Sequence, residues 1–325
     1  MNRRHFLTLS AFTIFPKGGL KAGLDNKQTG LVLDERFIEH QISTAHPESP
    51  ARYQGLKQHL LEHNVVNSVT LIRPKDAVES YLSLVHSQNH IDSIKTSQPE
   101  THRHALIATG GVLAAVDEVC TGKLRNAFCA SRPPGHHARD TGQEEGFCYY
   151  NHIAIAARYA QKQYNLKKIL IIDWDYHHGN GTEWAFYSDP NVLFFSTHDM
   201  FAYPGTGSPS KKGEGAGIGF NINVHLGCGA TDNDIVEAFQ KNLLPVVDTF
   251  SPELILISAG FDSRRDDLLG CYDVTDEGFI TLTEMVKTLA DKHCGGRVVS
   301  ILEGGYNIQG NASAVTAHVL ALMNE

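Results

Sequence analysis

From about Gly30 onward the chain alternates between two hydrophobic patterns. The first is a short, unbroken apolar run: GLVLDE (30–35), SVTLIR (68–73), NAFCAS (126–131), KILIIDWD (168–175), NVLFFST (191–197), GIGFNINV (217–224), ELILISAG (253–260) and RVVSILEG (297–304). The second carries apolar residues three and four positions apart: ARYQGLKQHLLEHN (51–64), TGGVLAAVDEVCTGK (109–123), NHIAIAARYAQKQYN (151–165), TDNDIVEAFQKNLLPVVDTF (231–250) and TDEGFITLTEMVKTLADKH (275–293). The runs read as strands and the periodic segments as helices, two of them capped by Thr231 and Thr275. Strands that are apolar throughout, without alternation, are buried on both faces, so the pattern predicts a parallel sheet covered by helices on both sides. No internal repeat and no linker rich in Pro, Gly or Ser interrupts it. Residues 28–325 are therefore expected to form one domain.

In open α/β sheets, ligands bind beyond the carboxyl ends of the strands. Four of the predicted strands end in polar, glycine-bearing tails: SRPPGHHA (131–138), DWDYHHGNG (173–181), SAGFDSR (258–264) and LEGGYN (302–307). Asp173, Asp175 and His177 are spaced two apart, so an extended backbone would turn them to one side, whereas a helix would throw Asp175 opposite the other two. Asp175 and His177, with Asp262 from another tail, offer two carboxylates and an imidazole to one metal. A fourth position is left for water, which is a catalytic pattern and not a closed structural one. Zinc is the first choice, and Fe(II), Co(II) or Mn(II) also suits such oxygen-rich ligands.

Taken singly, each of these residues has a bland explanation as a turn former or a packed histidine. Taken together they do not, because burying the three aspartates beside one another without a cation sets like charges together at heavy cost. His136 and His137 follow a turn of two prolines and a glycine. An enzyme that activates a metal-bound water needs a base for its proton and an acid for the leaving amine, and histidine serves both near neutrality. Asp173 is a candidate orienter for His136 and Asn180 for His137. Tyr306, after two glycines, is placed to donate to a developing oxyanion, although by itself it reads equally as an aromatic core residue.

Composition narrows the ligand classes. With 28 Lys and Arg against 36 Asp and Glu, the formal charge is −8, which gives no footprint for a phosphate backbone, so direct nucleic-acid binding is not expected. The six cysteines (Cys120, Cys129, Cys148, Cys228, Cys271 and Cys294) contain no CxxC pair, and several sit in apolar runs. They read as small hydrophobes, with neither a disulfide nor a thiolate zinc site. The amino terminus is unlike the rest. MNRRHFLTLSAFTIF places Arg3 and Arg4 before a short apolar stretch that resembles a twin-arginine export signal and is too short to span a bilayer. Residues 1–27 are thus expected to be an export signal or a disordered tail. The protein would be exported or periplasmic if that signal works, and cytoplasmic otherwise.

The ordered set RPPGHHA, GFCYYN, DWDYHHGNGT, FFSTHD, YPGTG, SAGFD and EGGYN resembles the histone deacetylase and acetylpolyamine amidohydrolase family, especially its bacterial, class II-like members. The likeness runs from near Leu31 to the carboxyl end. It implies an arginase-like, three-layer α/β fold and zinc-dependent hydrolysis of an acyl amide. By the same resemblance Asp175, His177 and Asp262 match the zinc ligands, His137 the general base and acid, His136 its electrostatic neighbour, and Tyr306 the carbonyl-polarising tyrosine. Asp173 matches the supporting aspartate and, with Ser196, part of a K+ site. Phe147 and Tyr203 match the aromatic walls of an acyl-lysine channel lined also by Gly146 and Gly305. Leu269 stands where polyamine-specific relatives carry Glu, which argues against that specificity, and Glu100 stands in for an acidic residue that holds the substrate backbone.

Arg264 and Arg265 replace small residues and would bring positive charge near the mouth. The expected substrate is an acyl-lysine-like amide. The alternatives are a small-molecule amidohydrolase acting on acetylpolyamines or other acetylated amines, and a non-catalytic acyl-lysine-binding module. A two-metal ureohydrolase is disfavoured, because the tails offer too few further Asp and His for a second metal.

Overall fold

The computed structural model describes residues 28–76 and 78–324. The twin-arginine segment and the rest of 1–27 lie outside the described residues. All eight predicted runs are strands: β1 Thr29–Val32, β2 Thr70–Ile72, β3 Asn126–Cys129, β4 Ile169–Asp173, β5 Val192–His198, β6 Asn221–His225, β7 Leu254–Ala259 and β8 Val298–Leu302. They pair in parallel throughout, in the order β2-β1-β3-β8-β7-β4-β5-β6. Every residue of β3, β4, β5, β7 and β8 is buried, which is the physical reason their sequences do not alternate.

The helices cover both faces, as expected, and several extend or add to the periodic segments. The 109–123 segment is the second half of a longer helix, Pro99–Cys120, which begins at a proline suited to a first turn. The 231–250 segment forms Asp232–Ala238 and Leu244–Phe250, joined by a π turn at Phe239–Leu243. Pro245 explains the break, since it has no N–H to continue the ladder. The terminal helix Ile308–Met323 was not legible as an amphipathic pattern. It is packed between helices Pro50–Glu62 and Asp276–Cys294 and buries residues around most of its circumference.

One expectation about cysteine is corrected. Cys228 and Cys271 form a disulfide, with Cα atoms 5.1 Å apart and a sequence separation of 43. They lie in the loops after β6 and β7, which also meet through the Gly229 N–H donated to the Cys271 carbonyl (2.7 Å). Short-range spacing carries no information about a contact made by two distant loops. The other four cysteines are free: Cys129, Cys148 and Cys294 are buried and Cys120 is half-buried. No described helix is long and apolar enough to cross a membrane.

Beneath the carboxyl edge of the sheet lies a fully buried charged cluster. Arg132 donates to both oxygens of Glu48 (2.6 and 2.5 Å), and Arg52 reaches Glu48 at 3.2 Å. Arg52 also donates to the carbonyls of Glu303 and Gly305 (both 2.6 Å), and Arg132 to those of Phe37 and His40 (2.5 and 3.1 Å). Glu48→Gln would leave two guanidinium groups buried with one neutral partner. The expected loss is about 3 kcal/mol of unfolding free energy, read from urea melts of the variant and parent; an unchanged midpoint would show that the cluster is dispensable.

Candidate active site

β3, β8, β7 and β4 are consecutive neighbours in the middle of the sheet, so their four polar tails emerge side by side. The tail of β4 is not a plain extended run. The Asp173 carboxylate accepts the Asp175 N–H (3.1 Å) and the Asp175 carboxylate accepts the His177 N–H (2.8 Å). Two successive Asx turns therefore gather the three side chains.

Asp262, from the tail of β7, accepts the Tyr176 N–H at 2.9 Å and lies 2.9 Å from His177 Nδ1, which is itself 3.3 Å from Asp175. One ligand atom from each of Asp175, His177 and Asp262 falls within 4.8 Å of the others. Two glycines allow this approach: a Cβ on Gly260 would stand 2.0 Å from an Asp175 oxygen, and one on Gly304 2.1 Å from an Asp262 oxygen.

The electrostatics fit a divalent cation at these three residues. Burial, reinforced by the neighbouring Asp175, pushes Asp262 up to about 7. Burial works against charge on His177, but its hydrogen bonds to Asp175 and Asp262 prevail and lift it to about 10. Burial also opposes charge on Asp175, yet His136 and His177 hold it well below the usual carboxylate range. These opposed shifts mark a place where buried carboxylates call for positive charge, which a divalent ion would supply to the same atoms.

The two adjacent histidines are treated in opposite ways. His136 Nδ1 lies 3.0 Å from Asp173, and its Nε2 is 3.8 Å from Asp175. Although burial disfavours its charge, the two aspartates raise it well above the ordinary imidazole value. His137 Nδ1 faces the Asn180 amide oxygen at 2.8 Å. Burial and the neighbouring His136 keep it well below that value, so it is neutral, with its Nε2 lone pair free. Burial pushes the Tyr306 phenol well up, which keeps it protonated and able to donate.

His137, His177 and Tyr306 line one cavity of about 770 Å³, whose walls include Gly146, Phe147, Tyr203 and Leu269. Phe147 and Tyr306 meet edge to face at 6.0 Å, as do His137 and Tyr203 at 5.0 Å. Gly146 has φ +55, and a Cβ there would lie 2.4 Å from the His137 ring. Two residues expected at the channel sit elsewhere. Gly305 does not line the cavity; its carbonyl accepts from Arg52. Glu100 stands in the first turn of helix Pro99–Cys120, in a separate depression beside Gln41 and Tyr149, with its side chain 80% exposed and 3.3 Å from Arg103. Arg264 and Arg265 are paired with Asp276 (2.7 Å) and Asp273 (3.3 Å), so their charge is not free to repel a cation. Asp173 and Ser196 are partners in the β4–β5 register, and Ser196 Oγ bonds His198 at 2.8 Å.

Sequence reasoning passed over the groups that hold these residues in place. The Glu303 carboxylate accepts the N–H groups of Gly135 (2.7 Å) and His136 (3.1 Å), tying β8 to the histidine turn. Arg52 lies 4.9 Å over the Tyr306 ring. The only available signal was their charge inside otherwise buried motifs. A second cluster, His86, His90 and Asp140, also brings three ligand atoms together. Its two rings stack at 4.6 Å and 19°, and both nitrogens of His90 are engaged, by Tyr149 O and Gly142 N. Lone pairs lying in stacked planes do not converge on one ion.

Comparison with known proteins agrees with this geometry. Residues 46–322 match the histone deacetylase domain. Histone deacetylase 15 of Arabidopsis thaliana is 37% identical over 320 residues, which cover 91% of this chain and 57% of the relative. The probable deacetylase of Archaeoglobus fulgidus is 35% identical over 311 residues, covering 91% of this chain and 86% of that protein. The crystal structure of the HDA15 HD domain superposes with a TM-score of 0.86 at 35% identity, covering 92% of this chain and 89% of that one. The chain thus spans little more than half of the plant relative and most of the archaeal one. With a domain match over most of its length and the same arrangement of strands and helices, the chain belongs to the histone deacetylase family.

Proposed function

We propose that this protein is a zinc-dependent deacetylase that removes an acetyl or related short acyl group from an amide nitrogen, with acyl-lysine-like amides as its substrates. The observation that carries this reading is that His137 and Tyr306 line one cavity together with His177, whose ring meets the Asp175 and Asp262 carboxylates just behind it. Asp175, His177 and Asp262 would hold the zinc. When bound, zinc polarises the amide carbonyl and lowers the pKa of a water.

His137 takes the proton of the attacking water at Nε2, because Nδ1 is committed to Asn180. The same nitrogen then delivers that proton to the departing amine. His136, charged beside Asp173, supplies a fixed positive field at the back of the site. Tyr306 donates its hydroxyl to the carbonyl oxygen as negative charge builds there, an interaction worth most in the transition state. Phe147 and Tyr203 flank the aliphatic stem of the substrate. A purely binding module would need neither a base nor a donor aimed at the carbonyl.

A second reading, hydrolysis of small acetylated amines, is favoured by one observation. Glu144 lines the cavity and accepts the Phe147 N–H, with no basic partner among the described residues, while Arg264 and Arg265 are neutralised by their own pairs. The Arg3-Arg4 motif supports export by a twin-arginine route, and fractionation should then find the mature chain outside the cytosol. Recovery only in the cytosol with Met1 intact would count against it.

Purified protein should contain about one zinc per chain and turn over fluorogenic acetyl-lysine and trifluoroacetyl-lysine substrates. Chelation should abolish turnover and added zinc restore it. Faster hydrolysis of acetylated small amines than of acetyl-lysine peptides would favour the second reading, and inactivity of the zinc-loaded protein on both classes would overturn deacetylation. Tyr306→Phe should lower kcat on the order of a hundredfold with zinc content unchanged; a variant as fast as the parent would remove the phenol from the mechanism.

A further inference from the structure

Tyr306 is carried by a backbone with little stiffness of its own. Gly304 and Gly305 precede it, and Gly305 has φ +121, a region open in practice to glycine alone. Something outside this segment must fix where the phenol stands. The Tyr306 N–H is donated to Asp267 Oδ2 at 2.6 Å, and the Asn307 N–H to the same oxygen at 3.1 Å. The other oxygen, Oδ1, accepts the N–H groups of Leu269 (2.9 Å) and Gly270 (3.3 Å).

One carboxylate therefore holds two loops, the tail of β7 and the tail of β8. Each loop contributes a wall of the same cavity through Leu269 and Tyr306. Around this junction Asn307 Nδ2 donates to the Asp266 carbonyl at 2.9 Å, and Asp266 itself is left-handed at φ +63. No Lys or Arg pairs with Asp267 among the described residues. Its charge is balanced by four backbone N–H groups and by the amino end of helix Ile308–Met323, whose N-cap is Asn307.

We propose that Asp267 is a positioning residue for Tyr306, setting the phenol against the Leu269 wall so that it meets the substrate carbonyl. The inference rests on the deacetylase reading. A neutral amide cannot replace the carboxylate, because one of its two ends is an NH₂ that would face backbone donors. Short bonds from N–H to an ionised acceptor are also the stronger ones. The loss should therefore appear as a misplaced phenol and not as a lost metal or a weakened aromatic channel.

The experiment is a double-mutant cycle between Asp267→Asn and Tyr306→Phe on the zinc-loaded enzyme. Asp267→Asn alone should lower kcat about tenfold or more, the scale of a lost charge-assisted hydrogen bond, with KM changed less than kcat and zinc content equal to the parent. In the Tyr306→Phe background the same substitution should have little further effect, because the group it positions is already gone. A loss of the same factor in both backgrounds, or none in either, would overturn the proposal. Should the asparagine variant not accumulate as folded protein, Asp267→Glu takes its place in the same cycle. It keeps the charge but shifts the acceptor by one methylene, and the same non-additivity is expected. A parent inactive on every acylated amine would instead defeat the deacetylase reading; an active parent with an additive cycle would defeat this inference alone.

Discussion

Two carboxylates removed from water within hydrogen-bonding reach of one imidazole are the constraint on which the rest of this structure turns. Asp175 and Asp262 cannot both be ionised in a buried place unless positive charge is supplied there, and the surroundings are built to supply it. His177 bridges them, His136 stands behind Asp175, and backbone N–H groups of His177, Gly304 and Tyr176 point at their oxygens. The glycines at 260 and 304 are what make the approach sterically possible. The tails of a parallel sheet, short and tightly hydrogen-bonded, set these side chains side by side.

Around that centre, polarity is graded. His136 lies between two aspartates and is driven toward the charged form, while His137, one residue later, is driven toward the neutral one by burial and by His136 itself. Adjacent side chains of the same type thus acquire different chemistry from their surroundings, while Asp173 orients one ring and Asn180 the other. Behind them the Arg52–Glu48–Arg132 cluster carries its charge wholly inside the protein and spends most of its remaining donors on main-chain carbonyls, two of which belong to the Tyr306 loop.

The strands were legible because burial on both faces leaves an unmistakable apolar run, and the candidate site stood out because Asp and His residues crowd the ends of those runs. Residues whose partners lie far away in sequence were not. The Cys228–Cys271 bridge joins loops 43 residues apart, and no local spacing announces it. The terminal helix, covered on most sides, lacks the one-sided stripe that identifies a surface helix. Glu100 lies in a segment without strong motifs, and it stands on the exposed end of a helix away from the cavity. Glu303 was visible within LEGGYN, but nothing in the sequence indicates that a glutamate after a buried strand will bind the N–H groups of a turn more than 160 residues earlier.

The strand order bears on how the molecule comes into being. β8 is the last strand in the chain, yet it is inserted between β3 and β7 near the centre of the sheet. During synthesis the left half, β2-β1-β3, and the right half, β7-β4-β5-β6, can each pair internally, but they have no common seam until the final strand leaves the ribosome. The ligand trio belongs to the right half, while the histidine turn and Tyr306 reach it only when that seam closes. The pair of buried carboxylates and its bridging imidazole are thus complete within one half of the sheet, whereas His137 and Tyr306 come up to them only when the last strand takes its place at the seam.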